Sequence, residues 1–251
     1  MPKNAKTNVL ASLRAQIQAM ELGAAPTNSA QTIVPLGIAE IDDILPWAGL
    51  PRTAIHEIEG EHGAALGFAV ALLARFVANH RPALWCFRQL APYAPGLRLF
   101  GLDPNRLIAV RARKTRHILW ALEEALRARC LGAVLGEIST IDLTSSKRLQ
   151  LATRIGGTAC ILLCNNTRAR TTTAATRWRI LPSKTNENDG GIDPNFLVEP
   201  SWQIELVRCR GTSGGHRWTV KWCHETHCLN MVAPLAHRPR TSPVKGLRNA
   251  V

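Results

Sequence analysis

With 251 residues, 46% of them hydrophobic, the chain can bury a sizeable core and is not a disordered polypeptide. Seven cysteines, an odd number without scaffold spacing, argue against a disulfide framework and for a reducing compartment. A formal net charge of +13 raises the expectation of an acidic partner such as nucleic acid, without choosing one.

In chain order, Leu10, Leu13, Ile17 and Met20 recur at helical spacing over residues 8–22, and Gly23 and Pro26 end that helix. Residues 23–32 form a linker of Ala, Ser, Thr and Asn. A helix set apart in this way docks either on its own domain or on a partner, so these four side chains are candidate partner-binding residues. Residues 1–18 carry no signal-peptide apolar region, and no run reaches the roughly 18 apolar residues of a membrane helix. A cytoplasmic location without membrane association is expected.

Strand and helix then alternate. Strands are expected at Ala54–Ile58, Ala83–Phe87, Leu107–Val110, Ala133–Gly136 and Ala159–Leu163, and helices over 65–78, 91–100, 115–130 and 144–155. Short apolar strands separated by helices indicate a mostly parallel sheet flanked by helices, an α/β fold. Residues 165–176 and 185–194 are polar and are expected as loops. Trp202–Arg208 and Arg217–Trp222 alternate apolar and polar residues around Gly211, Gly214 and Gly215, which predicts a C-terminal antiparallel hairpin. A third strand is expected at Cys228–Val232. From Ala236 the chain is basic and free of acids, and is expected to be disordered. The expected division is a helix and linker over 1–32, a core over 33–235 and a tail over 236–251.

The junction of the first strand and helix has the frame of a phosphate loop without its chemistry. From Gly60 the order is Gly60, Glu61, His62, Gly63, Ala64, Ala65, Leu66, Gly67. A working loop reads G-x-x-x-x-G-K-[ST], with backbone amides and a lysine on the phosphates and a hydroxyl on magnesium. Here Ala65 stands for the second glycine, Leu66 for the lysine and Gly67 for the hydroxyl residue. Leucine cannot neutralise a phosphate, and glycine offers the metal no oxygen. Cys223-His224-Glu225-Thr226-His227-Cys228 gathers metal-capable side chains, but zinc sites collect two separated pairs, and on a strand-turn reading these side chains point to different faces. No metal site and no cofactor are expected.

Residues 36–60 contain Ile41-Asp42-Asp43-Ile44-Leu45, then Gly49-Leu50-Pro51 and Ile55-His56-Glu57-Ile58. This run resembles the entry into the ATPase core of RecA recombinases. Pro95-Gly96-Leu97, Gly101-Leu102-Asp103-Pro104, Leu119-Trp120-Ala121-Leu122-Glu123-Glu124-Ala125-Leu126, Val134-Leu135-Gly136-Glu137, Asp142-Leu143-Thr144, Arg148-Leu149-Gln150-Leu151 and Ala174-Ala175-Thr176-Arg177-Trp178-Arg179 follow in order. Together they make residues 8–232 similar to the ImuA family, RecA-like accessory proteins of a bacterial damage-inducible mutagenesis cassette.

The resemblance implies a RecA-like core. It places Gln89, beside Arg88, where RecA-like ATPases carry a catalytic glutamate, and a glutamine cannot take the proton of an attacking water. It leaves Glu137 as the carboxylate at the end of the magnesium-binding strand, or else as a polar strand cap. It implies a non-catalytic adaptor in translesion synthesis and the DNA-damage (SOS) response. The partners would be an ImuB-like inactive Y-family polymerase homologue and an error-prone C-family polymerase, with RecA and non-specific DNA as further candidates. In RecA proteins the loop after the fifth core strand lines DNA, which makes Arg168, Arg170, Arg177, Trp178, Arg179 and Lys184 candidate DNA-binding residues; the alternative is a solvated loop with Trp178 in the core. A second basic run is Arg106, Arg111, Arg113, Lys114 and Arg116. Two other functions stay open: an ATPase with an unusual loop, in which Lys114 or another basic residue replaces the missing lysine, and a SulA-type inhibitor of cell division, disfavoured by this chain's greater length and basic tail.

Overall fold

A computed structural model describes residues 33–77, 81–165, 171–183 and 199–232. The N-terminal helix with Leu10, Leu13, Ile17 and Met20, the basic residues Arg168, Arg170 and Lys184, and the tail lie outside the described residues.

Two short strands, β1 (Ile33–Val34) and β2 (Leu50–Pro51), pair antiparallel and enclose the one-turn helix α1 (Ala39–Asp42). Asp42 closes this entry segment, its two carboxylate oxygens accepting from the amides of Leu36 at 2.8 Å and Gly37 at 2.9 Å. Then follow β3 (Ile55–Gly60), α2 (His62–Phe76), β4 (Ala83–Phe87), α3 (Ala94–Arg98), a 3-10 turn (Pro104–Arg106), β5 (Leu107–Arg111), α4 (Thr115–Arg127), β6 (Ala133–Ile138), α5 (Leu143–Gly156) and β7 (Ala159–Cys164). The chain closes with β8 (Thr176–Pro182), β9 (Ser201–Cys209), β10 (His216–Cys223) and β11 (Cys228–Met231).

Among the described residues one nine-stranded sheet forms, in the order β11-β10-β9-β8-β3-β7-β6-β4-β5. The strands from β8 to β5 run parallel, and β9, β10 and β11 extend the sheet antiparallel. This is the expected mixed α/β fold, a mostly parallel sheet flanked by helices with a C-terminal antiparallel hairpin.

Each face of the sheet has its own core. On one, α2 packs Phe68, Leu72 and Phe76 against Ile58, Ile161, Trp178 and Trp202. On the other, Ile118, Leu122 and Leu126 of α4 and Leu149 and Ala152 of α5 cover Ile55, Val134, Cys160 and Leu162. Burial on both faces explains the nearly continuous apolar runs of β6 and β7. α5 begins at an acidic cap, Asp142 Oδ1 accepting from the Ser145 amide at 2.8 Å, and ends at Gly157 in the left-handed region with φ 69°.

The five expected parallel strands, the hairpin and the third strand are all present. Three differences matter. The first long helix starts at His62 rather than residue 65, so the expected turn is part of the helix. Only 94–98 of the expected helix 91–100 is helical, with a proline in its first turn. β8 forms where no strand was anticipated, because its arginines hide an inward-facing pattern. Arg177 lies beside Glu57 and Arg179 beside Glu59 in the parallel register of β8 with β3, so the charges are paired within the sheet.

Candidate ligand pocket at the carboxyl end of the sheet

Crevices of parallel α/β sheets open beyond the carboxyl ends of the strands. Here a pocket of about 530 Å³ lies in that position. His62, Gly63, Leu66 and Gly67 of α2 form one wall; Trp85 of β4, Arg88 and Gln89 just past it, and Glu137 of β6 form another. The segment from Leu90 through Tyr93 to Phe100 closes the side, and Asn165 follows β7 at the edge. Six of the ten residues assigned to the degenerate nucleotide site therefore meet: His62, Gly63, Leu66, Gly67, Gln89 and Glu137. The other four do not line it. Ala64 and Ala65 are buried in the core beneath α2, and Gly60 and Glu61 form the turn.

That turn is a single residue long. β3 ends at Gly60 and α2 begins at His62, with only Glu61 between them. Gly60 has φ +132°, and a side chain there would collide with the carbonyl of Ile180, 1.9 Å from the Cβ position. The Glu61 amide donates to that same carbonyl at 3.0 Å. The turn is thus tied down onto β8. Lys114 stands at the N-cap position of α4 and is not among the residues that line the pocket.

Gly67 sits against an aromatic cluster. A Cβ on Gly67 would start 2.9 Å from the Trp202 ring and 3.4 Å from Phe100. Phe68 meets Trp202 edge-on at 6.0 Å between ring centres, Phe100 stacks on Trp202 at 6.3 Å, and Phe100 lies 5.6 Å from Trp222. The turn between β10 and β11 clasps the end of α3: Trp222 Nε1 and His224 Nδ1 donate to the Leu99 carbonyl at 2.9 and 3.0 Å, and His227 Nε2 donates to the Arg98 carbonyl at 3.1 Å. The two imidazoles of this turn reach the same helix end, and no group of three or more metal-capable side chains gathers among the described residues.

Inside the pocket the charged groups are fixed. Trp85, 3% exposed, donates its indole N–H to Glu137 Oε1 at 2.9 Å. Arg88 donates to Ser139 Oγ at 2.9 Å. Trp85, Tyr93, Phe100 and Asn165 were not singled out in the sequence. The one available signal was Trp85, since a buried indole in a strand needs an acceptor close by.

The candidate DNA-binding residues of β8 are corrected. Trp178 is wholly buried, and its Nε1 donates to Thr176 Oγ1 at 2.9 Å, so it presents no face to a base. Arg177 is buried against Glu57 at 2.7 Å. Arg179 pairs with Glu59 at 2.9 Å and Glu205 at 3.3 Å. The other basic run differs: Arg111, Arg113, Lys114 and Arg116 are exposed at the end of β5 and the start of α4. The cysteines at the sheet centre are core groups; burial pushes the Cys86 thiol up to about 11 and raises Cys160 further.

No family model matches the chain. The proteins named Protein ImuA from two strains of Caulobacter vibrioides, NA1000 / CB15N and ATCC 19089 / CIP 103742 / CB 15, are each 32% identical to it over 251 residues, which is 91% of this chain and 99% of theirs. The chain belongs to the ImuA family. ImuA membership supports a part in damage-induced mutagenesis. No helix among the described residues is long and apolar enough to cross a membrane.

Proposed function

We propose that this ImuA-family chain is a RecA-like adaptor that does not hydrolyse nucleotide and acts by binding the translesion-synthesis machinery. Its partners are an ImuB-like inactive Y-family polymerase homologue and an error-prone C-family polymerase, with RecA a third. The observation that carries the reading is the direct passage from β3 into α2. A one-residue turn held on Ile180 leaves no ring of amides for phosphates, and Leu66 and Gly67 supply neither cation nor hydroxyl. Glu137 is drawn to the Trp85 indole, and Gln89 cannot serve as a base. Sequence-independent DNA contact is assigned to Arg111, Arg113, Lys114 and Arg116.

The test is calorimetric titration with ATP and magnesium, phosphate-release measurement and binding of the purified polymerase-like partner. Partner binding with both nucleotide assays silent is the expected result; phosphate release would sink the adaptor reading. Nucleotide binding is the second reading, favoured by one observation: the pocket opens at the amino end of the long helix α2. Saturable binding without turnover would make the chain a nucleotide-sensing adaptor.

A further inference from the structure

We infer that the pocket is a peptide-docking site. It takes a partner segment that presents a large apolar side chain with a lysine or arginine beside it, the cation pairing with Glu137. This rests on the adaptor reading and names the chemistry of the contact.

Leu66, Val70, Trp85, Leu97 and Phe100 make the walls largely apolar, and about 530 Å³ is ample for a buried anchor side chain. The apolar surface does not stop at the mouth. Leu90 is 79% exposed and Tyr93 74%, both on the segment that rims the pocket. A compact ligand seated inside would leave these two in water. A peptide crossing the mouth covers them, and an apolar patch beside a concave site is the mark of a protein contact.

The charge inside selects the second feature. Glu137 Oε1 is occupied by Trp85, and no described protein donor reaches Oε2. The carboxylate is half-buried and is held by an indole that is itself buried. Arg88 makes no ion pair with it and is turned to Ser139, while His62 is exposed at the amino end of α2. An incoming cation thus meets a carboxylate oxygen that no described donor occupies, with Arg88 keeping its charge on the wall beside Gln89.

The pocket can be plugged without disturbing the core. A side chain at Gly63 has no atom within 4 Å of its Cβ position, and Gly63 lines the pocket. Short random peptides displayed on phage are selected against the full-length wild-type protein. The expected consensus is a large apolar residue with Lys or Arg within a few positions. Binding of the selected peptide should weaken at least about tenfold in Gly63→Leu with the melting temperature kept. Glu137→Gln should keep the apolar preference and lose the basic one. No enrichment, a consensus without a basic residue, or equal binding to Gly63→Leu would overturn the inference. The full-length polymerase-like partner is titrated in parallel. Equal affinity for wild type and Gly63→Leu overturns the pocket inference alone, whereas no binding to wild type overturns the adaptor reading beneath it.

Discussion

Arg177 donates its Nε proton to Glu57 at 2.7 Å across the parallel strands β8 and β3, with the Glu57 side chain wholly buried and that of Arg177 9% exposed. Neither charge is available to a ligand. A pair this deep contributes little net stability, since desolvation offsets attraction, but removing one partner strands the other. Glu57→Gln or Arg177→Gln is therefore expected to lower unfolding free energy by about 3–5 kcal/mol in urea denaturation. The apolar double variant Glu57→Leu with Arg177→Met should recover most of that loss. Equal damage from the single and double variants would contradict the account.

His56 makes stability depend on pH. It is wholly buried, bonded through Nε2–H to the Pro51 carbonyl at 2.9 Å and through Nδ1 to the Thr176 hydroxyl at 2.8 Å, and it stacks on Phe76. Burial lowers its pKa from 6.5 to about 4. In that window the unfolded chain binds a proton that the folded chain refuses. The stability this group contributes is whole above 6.5 and is lost as pH falls through 4. The loss should total about 3 kcal/mol. Denaturation curves of wild type and His56→Gln from pH 7 to 4 check this: the pH slope should be shallower in the variant.

A hydroxyl side chain at Gly67 should harm this fold. Gly67→Ser places its Cβ 2.9 Å from the Trp202 ring. Overpacking of this kind costs about 1–3 kcal/mol, to be read as a lower melting temperature. Gly63→Ala, in open space on the same helix, should instead be neutral or stabilising by up to about 1 kcal/mol.

The basic corner should account for salt-sensitive DNA association. Arg113→Gln and Lys114→Gln are each expected to reduce the slope of log affinity against log salt by about 0.9 on duplex DNA. An unchanged slope would move the DNA contact elsewhere on the molecule.

Local sequence pattern was enough for the alternation of strand and helix, the five parallel strands, the hairpin, and the absence of a lysine and a hydroxyl residue at Leu66 and Gly67. These are carried by local periodicity and by single residue types, which do not depend on what packs where. The start of α2 at His62 depends instead on a long-range contact, because the turn before it is held by a carbonyl of β8, far away in sequence. The tertiary structure also decided the fate of Arg177 and Trp178. Both sit in a stretch that reads as basic and exposed, and the register of β8 against β3 sends one to a buried carboxylate and the other into the aromatic core. The pocket itself joins α2, β4, β6 and the segment before Phe100. Their side chains converge only because a parallel sheet brings the carboxyl ends of separate strands to one edge.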